Sequence, residues 1–415
     1  MSLLDDALDL AEPLTELRHA LHRHPELGLD LPRTQQTVLD ALDGLGLEIS
    51  TGRSCTSVTA VLRGGAHRTS GAGPAGPVPR TRPVVLLRGD MDALPVHEDL
   101  DLPFRSEVDG VMHACGHDLH TTMLVGAARL LSAHRDHLPG DVVFMFQPGE
   151  EGHDGAALMI ADGVLDAAGR RPDAAFAIHV MSALAPIGAV VTRPGPLMAA
   201  SDGLYVEVRG HGGHGSSPHT ARDPLPAACA MVLALQQTMT REVSAYTPAV
   251  LTVGSLHSGT KRNIIPDTAT FEATVRTFDP QVRERIRRAV ERTCRGTADA
   301  HAVEVTVRYV EEYPVTVNDP VETAFALDVA RDLFGAGVVA QLPDPTSGSE
   351  DFSRILAEVP GAMVFLGAMP AGVAPDLAPI NHSPRAAFDD TVLPRGAALY
   401  AALADARLAR TPSAP

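Results

Sequence analysis

The feature that most constrains the fold is a set of short, uninterrupted apolar runs, each followed by polar residues. The runs are Val84–Leu87, Val142–Phe146, Ala174–Ile178 and Met363–Leu366. Strands without polar alternation are typical of a parallel sheet buried on both faces. Segments with helical periodicity separate the runs, so we predict an α/β fold with a mostly parallel sheet flanked by helices. The Gly- and Pro-rich stretch Gly64–Pro83, just before the first run, predicts a surface loop or hairpin tip.

The middle of the chain, residues 193–311, follows a different pattern. Its strand and helix segments come in the order β-α-β-β-α-β, at Tyr205–Arg209, Pro224–Thr240, Val250–Leu256, Ala269–Phe278, Gln281–Arg295 and Val303–Val310. This order is that of the ferredoxin-like, split βαβ plan. We therefore predict that residues 193–311 form an inserted α+β domain, and that residues 1–192 and 312–415 together form the first domain.

Composition excludes several classes of partner. The 415 residues include 51 acidic and 34 basic side chains, for a net charge of −17. A nucleic-acid partner is not expected, because binding phosphate needs a basic surface. Nor is a membrane partner, because no apolar stretch reaches the roughly 18 residues of a membrane span. The four cysteines are far apart and the first ten residues do not resemble a secretory signal, so we expect a reducing, cytoplasmic location.

Two polar clusters contain residue types that suit metal chemistry. Cys115 and His117 lie two residues apart just before a helix, where a thiolate and an imidazole can share a metal site and a thiolate can bridge two metals. A buried cysteine near solvated histidines is the alternative. Glu150 and Glu151 follow an apolar run, where one can bind a metal and the other act as general base. A solvated acidic turn is the alternative there.

Three further clusters follow other apolar runs. His179 ends one run and His382 follows the last, although either is also typical of an ordinary histidine at the rim of a sheet. Asp90 and Asp92 have the period-2 spacing of one strand face and could orient a histidine ligand, or form a polar turn. Ligands of open α/β sheets bind beyond the carboxyl ends of the strands. Five clusters at such ends therefore predict one shared site.

Taken together, the motifs resemble those of a known enzyme family. They read G-D-M-D-A-L-P, M-H-A-C-G-H-D, F-Q-P-G-E-E-G, I-H-V, G-S-E-D-F and N-H-S-P, and the match runs from about residue 14 to 400. They are similar to the metal-dependent amidohydrolase branch of the aminoacylase/carboxypeptidase G superfamily, which includes hippurate, N-acyl-amino-acid and indole-acetyl-amino-acid hydrolases. The resemblance implies a zinc-peptidase-like catalytic domain with an inserted lid and dimerisation domain.

The resemblance also implies a two-metal site. The implied ligands are Cys115, His117, Glu151, His179 and His382. Cys115 would bridge the metals, Glu150 would be the general base, and Asp92 would support a ligand. Many members of the wider superfamily have a ligand histidine where this chain has Asp90, which leaves the role of Asp90 open. Thiolate and imidazole ligands suit zinc, and the carboxylate and imidazole ligands also admit manganese, cobalt or nickel.

In the inserted domain, the segment G-H-G-G-H-G-S-S-P-H resembles a lid that reaches the active site of a second subunit. His214 would then stabilise the oxyanion of the tetrahedral intermediate. Asn263 and Arg276 match lid residues that bind the substrate carboxylate, and an arginine fork suits that geometry. The alternative for the His214 segment is a glycine-rich loop with exposed histidines, and the alternative for Arg276 is a solvated side chain. The resemblance implies a homodimer through this domain.

Together, these expectations predict a cytoplasmic hydrolase. It would cleave the amide bond of a small-molecule N-acyl amino acid to give a carboxylic acid and a free amino acid. Three alternatives remain open. The first is a dipeptidase or carboxypeptidase on the same scaffold. The second is a metal-binding protein without catalysis, with the lid serving as an assembly surface; the adjacent Glu150 and Glu151 argue against it, because such a site needs no spare base. The third is a cysteine hydrolase that uses Cys115 with a histidine.

Overall fold

The computed structural model describes residues 3–66, 82–373 and 377–410. Residues 67–81, which fall in the predicted Gly- and Pro-rich loop, lie outside the described residues. The α-helices are α1 Leu3–Leu8, α2 Ala11–Arg23, α3 Pro32–Leu42, α4 His117–Ala133, α5 Gly155–Asp162, α6 Pro224–Glu242, α7 Pro280–His301, α8 Pro320–Phe334, α9 Phe352–Glu358 and α10 Val392–Ala409. Short 3-10 turns occur at Arg135–His137, Val164–Asp166, Pro218–Thr220 and Ala336–Val338.

The strands alternate with these helices along the chain. They are β1 Glu48–Thr51, β2 Val58–Arg63, β3 Val84–Asp90, β4 Asp141–Gln147, β5 Ala174–Met181, β6 Val190–Thr192, β7 Gly195–Met198, β8 Ala200–Arg209, β9 Gly213–His214, β10 Ala249–Ser258, β11 Ile264–Ile265, β12 Thr268–Thr277, β13 Glu304–Tyr313, β14 Thr316–Asn318, β15 Val339–Gln341 and β16 Gly361–Gly367.

The described chain divides into two compact units. The first contains Met1–Leu197, Val317–Asp344 and Arg354–Pro415, and the second contains Met198–Thr316 and Pro345–Ser353. The predicted domain limits at 193 and 311 stay a prediction. No helix among the described residues has the length and apolar character needed to cross a bilayer.

The first unit is built on an eight-stranded sheet in the order β1-β2-β4-β3-β5-β16-β6-β15. The neighbours β4, β3, β5 and β16 are parallel, as are β6 and β15, whereas β1, β2 and the β16–β6 pair introduce antiparallel steps. The predicted mostly parallel α/β sheet is therefore confirmed.

Burial explains why the central strands are continuous apolar runs. Every residue of β3, β4 and β16 is buried, as expected for strands covered on both faces. Helices α4 and α10 pack on each other and on β3 and β5. Because α4 is buried almost throughout, its leucine, valine and methionine side chains stabilise the fold by roughly 1.5–3 kcal/mol each.

The second unit has the predicted β-α-β-β-α-β order. Its antiparallel sheet has the order β10-β12-β8-β13. Apolar side chains of α6 and α7 share one core with this sheet. Strand β8 begins at Ala200, five residues before the predicted start at Tyr205. The sequence pattern missed Ala200–Leu204 because all five residues are buried and do not alternate between apolar and polar.

Candidate metal centre and catalytic site

The predicted ligands follow strands whose carboxyl ends meet at one edge of the sheet. Strands β4, β3 and β5 are parallel neighbours, and Glu150, Asp92 and His179 lie at or just beyond their ends. Cys115 comes from the loop that leads into α4, and His117 is the first residue of that helix. The topology alone therefore brings residues distant in sequence to one place.

Gly116 makes the turn between Cys115 and His117 possible. Its φ of 87° is in the left-handed region that favours glycine. A Cβ atom at this position would lie 2.4 Å from Cγ2 of Val180. Both the backbone angle and the space thus require glycine, and the turn directs two candidate ligands toward β5.

Asp92 connects His117 to the pair of glutamates. Its two carboxylate oxygens accept hydrogen bonds from the main-chain nitrogens of Glu150 and Glu151, each at 3.0 Å. Its main-chain oxygen lies 2.8 Å from Nδ1 of His117, which donates to it. This bond leaves Nε2 of His117 directed into the site, where it is buried without a hydrogen-bond partner. An orphaned buried nitrogen of this kind suits a metal ligand.

The thiol of Cys115 lies between two histidines. Its Sγ is 3.4 Å from Nε2 of His179, whose Nδ1 donates to the Val180 oxygen at 2.8 Å. On the outer side, Nε2 of His382 lies 3.1 Å from Oε1 of Glu151. His382 has a left-handed φ of 72° and is 53% exposed, whereas Cys115 and His179 are buried. His382 therefore lies on the solvent side of the cluster.

The potential ligand atoms form overlapping groups, each within 4.8 Å. Three of these groups contain predicted ligands together: Cys115 with His117 and His179, Cys115 with Glu151 and His382, and His117 with Glu150 and Glu151. All five predicted ligands are thus brought together, with Glu150 beside them. Cys115 belongs to two of the groups, which is the arrangement that a thiolate shared by two cations needs.

The electrostatics of the cluster favour bound cations. Hydrogen bonds to Cys115 and Glu151 raise the pKa of His382 to about 10. Burial lowers the pKa of His117, but Asp90 and Cys115 outweigh it and hold that pKa well above its usual value. Both shifts reflect concentrated negative charge. The donor set of thiolate, imidazoles and carboxylate therefore fits divalent metal ions.

The remaining three predicted site residues belong to the second unit. His214 and Asn263 lie next to each other, because β9 pairs with β11 and the main-chain nitrogen of Gly215 donates to the Asn263 oxygen at 2.9 Å. His214 is exposed, and its Nδ1 lies 2.8 Å from Oγ of Ser216. Arg276, on β12, donates to Oγ1 of Thr274 at 2.6 Å and lines a cleft of about 370 Å³.

The chain is similar to known proteins over nearly its whole length. The sequence model of peptidase family M20/M25/M40 matches residues 86–406. The chain belongs to this family. It is 36% identical over 409 residues to thermostable carboxypeptidase 1 of Saccharolobus solfataricus, covering 97% of each chain. It is 35% identical over 407 residues to the hippurate hydrolase of Campylobacter jejuni, covering 97% of this chain and 99% of that one.

A solved structure agrees with this assignment. A Bacillus subtilis protein described as a dinuclear metal-binding peptidase of the M20 family superposes with a TM-score of 0.78 at 30% identity. The match covers 96% of this chain and 99% of that one. The resemblance drawn from the motifs is confirmed. The chain is therefore a hydrolase of a family that acts on amide bonds.

Asp90 belongs to a buried network with Arg88 and His120, two residues that the sequence analysis does not predict as part of the site. Its oxygens lie 2.7 Å from Nη1 of Arg88 and 2.5 Å from Nδ1 of His120. The other nitrogen of His120 accepts from the Val180 nitrogen at 2.7 Å, so neither nitrogen is available to a metal. Asp90 is thus buried beside His117, and its negative charge is paired with the positive charge of Arg88. The sequence feature that could have indicated His120 is its i,i+3 spacing from His117, which places both residues on one face of α4.

Proposed function

We propose that this chain is a two-metal amidohydrolase that cleaves the amide bond of an N-acyl amino acid, releasing a carboxylic acid and a free amino acid. One observation carries the proposal. Cys115, His117, Glu151, His179 and His382 form a single cluster that also contains a sixth residue, Glu150. A site that only stored metal would not need that additional carboxylate. Two divalent metals, when bound, would polarise the scissile carbonyl and lower the pKa of the attacking water.

Glu150 is the proposed general base. The Asp92 carboxylate fixes the main chain of Glu150 and of Glu151 with one hydrogen bond each, so the two glutamates have separate positions. We assign Glu151 to metal binding. The side chain of Glu150 takes the proton of the attacking water and passes it to the leaving nitrogen, which departs as a neutral amine.

In the second unit, His214 would donate to the developing oxyanion, and Asn263 and Arg276 would bind the carboxylate of the amino acid product. We propose that His214 acts on a second subunit. Support comes from the edge strands β10 and β13 of the four-stranded sheet, which are ten residues each. Long edges present unpaired backbone groups that can pair with another chain.

Zinc and manganese are the proposed metals, with cobalt and nickel as alternatives, because thiolate, imidazole and carboxylate ligands suit these ions. We propose a cytoplasmic location, since all four cysteines are free thiols, as is usual in a reducing environment. The partner would be the small-molecule substrate, with no nucleic acid and no membrane.

A carboxypeptidase is the second candidate, because a relative of that name is 36% identical over 97% of this chain. A cysteine hydrolase is the third, since Cys115 lies 3.4 Å from His179. We place the cysteine hydrolase below both, because it assigns no role to Glu151 or His382.

A substrate panel separates these functions. Purified protein is assayed on hippurate, other N-acyl amino acids, dipeptides and longer peptides, before and after dialysis against a chelator. We expect hydrolysis of N-acyl amino acids that is lost on dialysis and restored by zinc or manganese. Cleavage of peptides alone would instead support the carboxypeptidase. Activity that survives removal of the metals would favour a thiol nucleophile.

Mixing two inactive variants tests the contribution of His214 across a dimer. His214→Ala and Glu150→Gln should each be inactive alone. Random exchange of equal amounts makes about half of the dimers mixed, with one complete site in each, so about a quarter of wild-type activity should return. Native mass spectrometry verifies the exchange. Absence of rescue in mixed dimers would refute action in trans.

A further inference from the structure

Asn381, the residue before His382, makes an unusually complete set of hydrogen bonds. Its Nδ2 donates to the main-chain oxygens of Cys115 and Val180, each at 3.0 Å. Its Oδ1 accepts from the main-chain nitrogen of Ser182 at 3.0 Å. The Ser182 hydroxyl lies 2.9 Å from Oδ1 and 2.8 Å from the Pro379 oxygen, and these two acceptors share its single hydrogen. Both donor hydrogens of the amide and one acceptor position are therefore used by main-chain groups.

These bonds fix the orientation of the amide. The groups facing Nδ2 are carbonyl oxygens, which only accept, and one of the two groups facing Oδ1 is a main-chain N–H, which only donates. If the amide were flipped, Oδ1 would face two carbonyl oxygens and Nδ2 would face the main-chain N–H of Ser182, so all three contacts would be unfavourable. Asn381 therefore has one favourable orientation, and this orientation also places Nδ2 3.9 Å from Sγ of Cys115.

The contacts of Asn381 join three chain segments that carry candidate ligands. The Cys115 oxygen lies in a loop, 266 positions away in sequence. The Val180 oxygen, 201 positions away, also accepts from Nδ1 of His179 and so sets which His179 nitrogen is left for a metal. The adjacent His382 donates its main-chain nitrogen to the Ala114 oxygen at 2.9 Å.

We propose that Asn381 is a positioning residue for the metal centre, holding Cys115 and His179 in the arrangement that the metals require. The inference rests on the proposed ligand set. Cys115 lies outside any strand or helix, so no ladder of hydrogen bonds holds its carbonyl, and the Asn381 amide takes that place. Groups that orient metal ligands typically contribute 10- to 100-fold to metal affinity.

The test measures cobalt binding to the metal-free protein. Apo protein carrying Asn381→Ala is titrated with Co²⁺ in competition with a chelating indicator, and the thiolate-to-cobalt absorption is recorded. We expect binding about 10- to 100-fold weaker than in the wild type. The charge-transfer band should also shift or lose intensity, because Cys115 would no longer be held in place.

The chain offers a matched control in Asn318. Its amide is also fully engaged with the backbone, donating to the Met363 oxygen at 3.0 Å and accepting from the Met363 nitrogen at 2.8 Å. It has no contact with a candidate ligand among its hydrogen bonds. Asn318→Ala should lower thermal stability while leaving cobalt affinity and the charge-transfer band unchanged.

Three outcomes would overturn the inference. In the first, Asn381→Ala binds cobalt as tightly as the wild type, with the same spectrum. In the second, Asn318→Ala loses as much cobalt affinity as Asn381→Ala, which would mean that the effect comes from a general loss of stability. If Asn381→Ala does not fold, the more conservative Asn381→Ser replaces it, and the same two outcomes apply. In the third, the wild type takes up no cobalt, which overturns the metal centre as well.

Discussion

Glu150→Gln should bind both metals and lose turnover by about 10²- to 10⁴-fold, the usual contribution of a general base. The substitution keeps the size of the side chain but replaces the carboxylate, which accepts the proton from water, with an amide that cannot. The main-chain hydrogen bond from residue 150 to Asp92 is unaffected. Metal content by elemental analysis and kcat on the best N-acyl amino acid measure the two effects separately.

The neighbouring residue provides the contrast. Glu151→Gln, with the same chemical change one residue later, should lose metal content, because Glu151 lies in the group with Cys115 and His382. If Glu150→Gln kept full activity, the assignment of the base would be wrong. The non-catalytic metal-binding alternative would be favoured only if the wild type were also inactive on the whole panel.

Arg18→Ala should lower the free energy of unfolding by about 3–5 kcal/mol, because it removes the buried arginine partner of the buried Asp118 carboxylate. Arg18 is 1% exposed, and its guanidinium lies 2.8 Å from Asp118 and 2.7 Å from Asp390. It also lies 4.7 Å over the ring of Phe104. Denaturant unfolding followed by circular dichroism measures the change.

A surface ion pair serves as the control. Arg331 lies 2.7 Å from Asp328 on α8, with the arginine side chain 39% exposed. Since such pairs contribute at most about 1 kcal/mol, Arg331→Ala should have little effect. Equal destabilisation by Arg18→Ala and Arg331→Ala would contradict the interpretation that burial makes the Arg18 contacts costly to break.

The sheet could be predicted because its strands carry a strong local signal. Residues 84–87 and 142–146 are continuous apolar runs, and burial on both faces is what such runs require. The start of β8 could not be predicted in the same way. Asp202 lies inside that strand as a buried charge, paired with Arg283 and hydrogen-bonded by Tyr309 at 2.7 Å. Sequence periodicity cannot reveal a partner 81 positions away.

The same distinction applies to the candidate site. Residues that would contact metal have distinctive chemistry, so Cys115 and His382 could be singled out by residue type and motif. Asn381 and His120 lie beside them in sequence, yet their importance depends on which main-chain atoms they meet. Those atoms belong to segments brought together only by the fold, and an asparagine or a histidine alone does not indicate them.

The order of the eight-stranded sheet has a consequence for behaviour at high protein concentration. Among the described residues, its outermost strands are β1, with four residues, and β15, with three. Edges this short offer few free backbone groups to another molecule's sheet, which is one way natural proteins limit aggregation. The part of the molecule that carries the candidate metal centre can therefore be crowded without presenting a template for fibre growth.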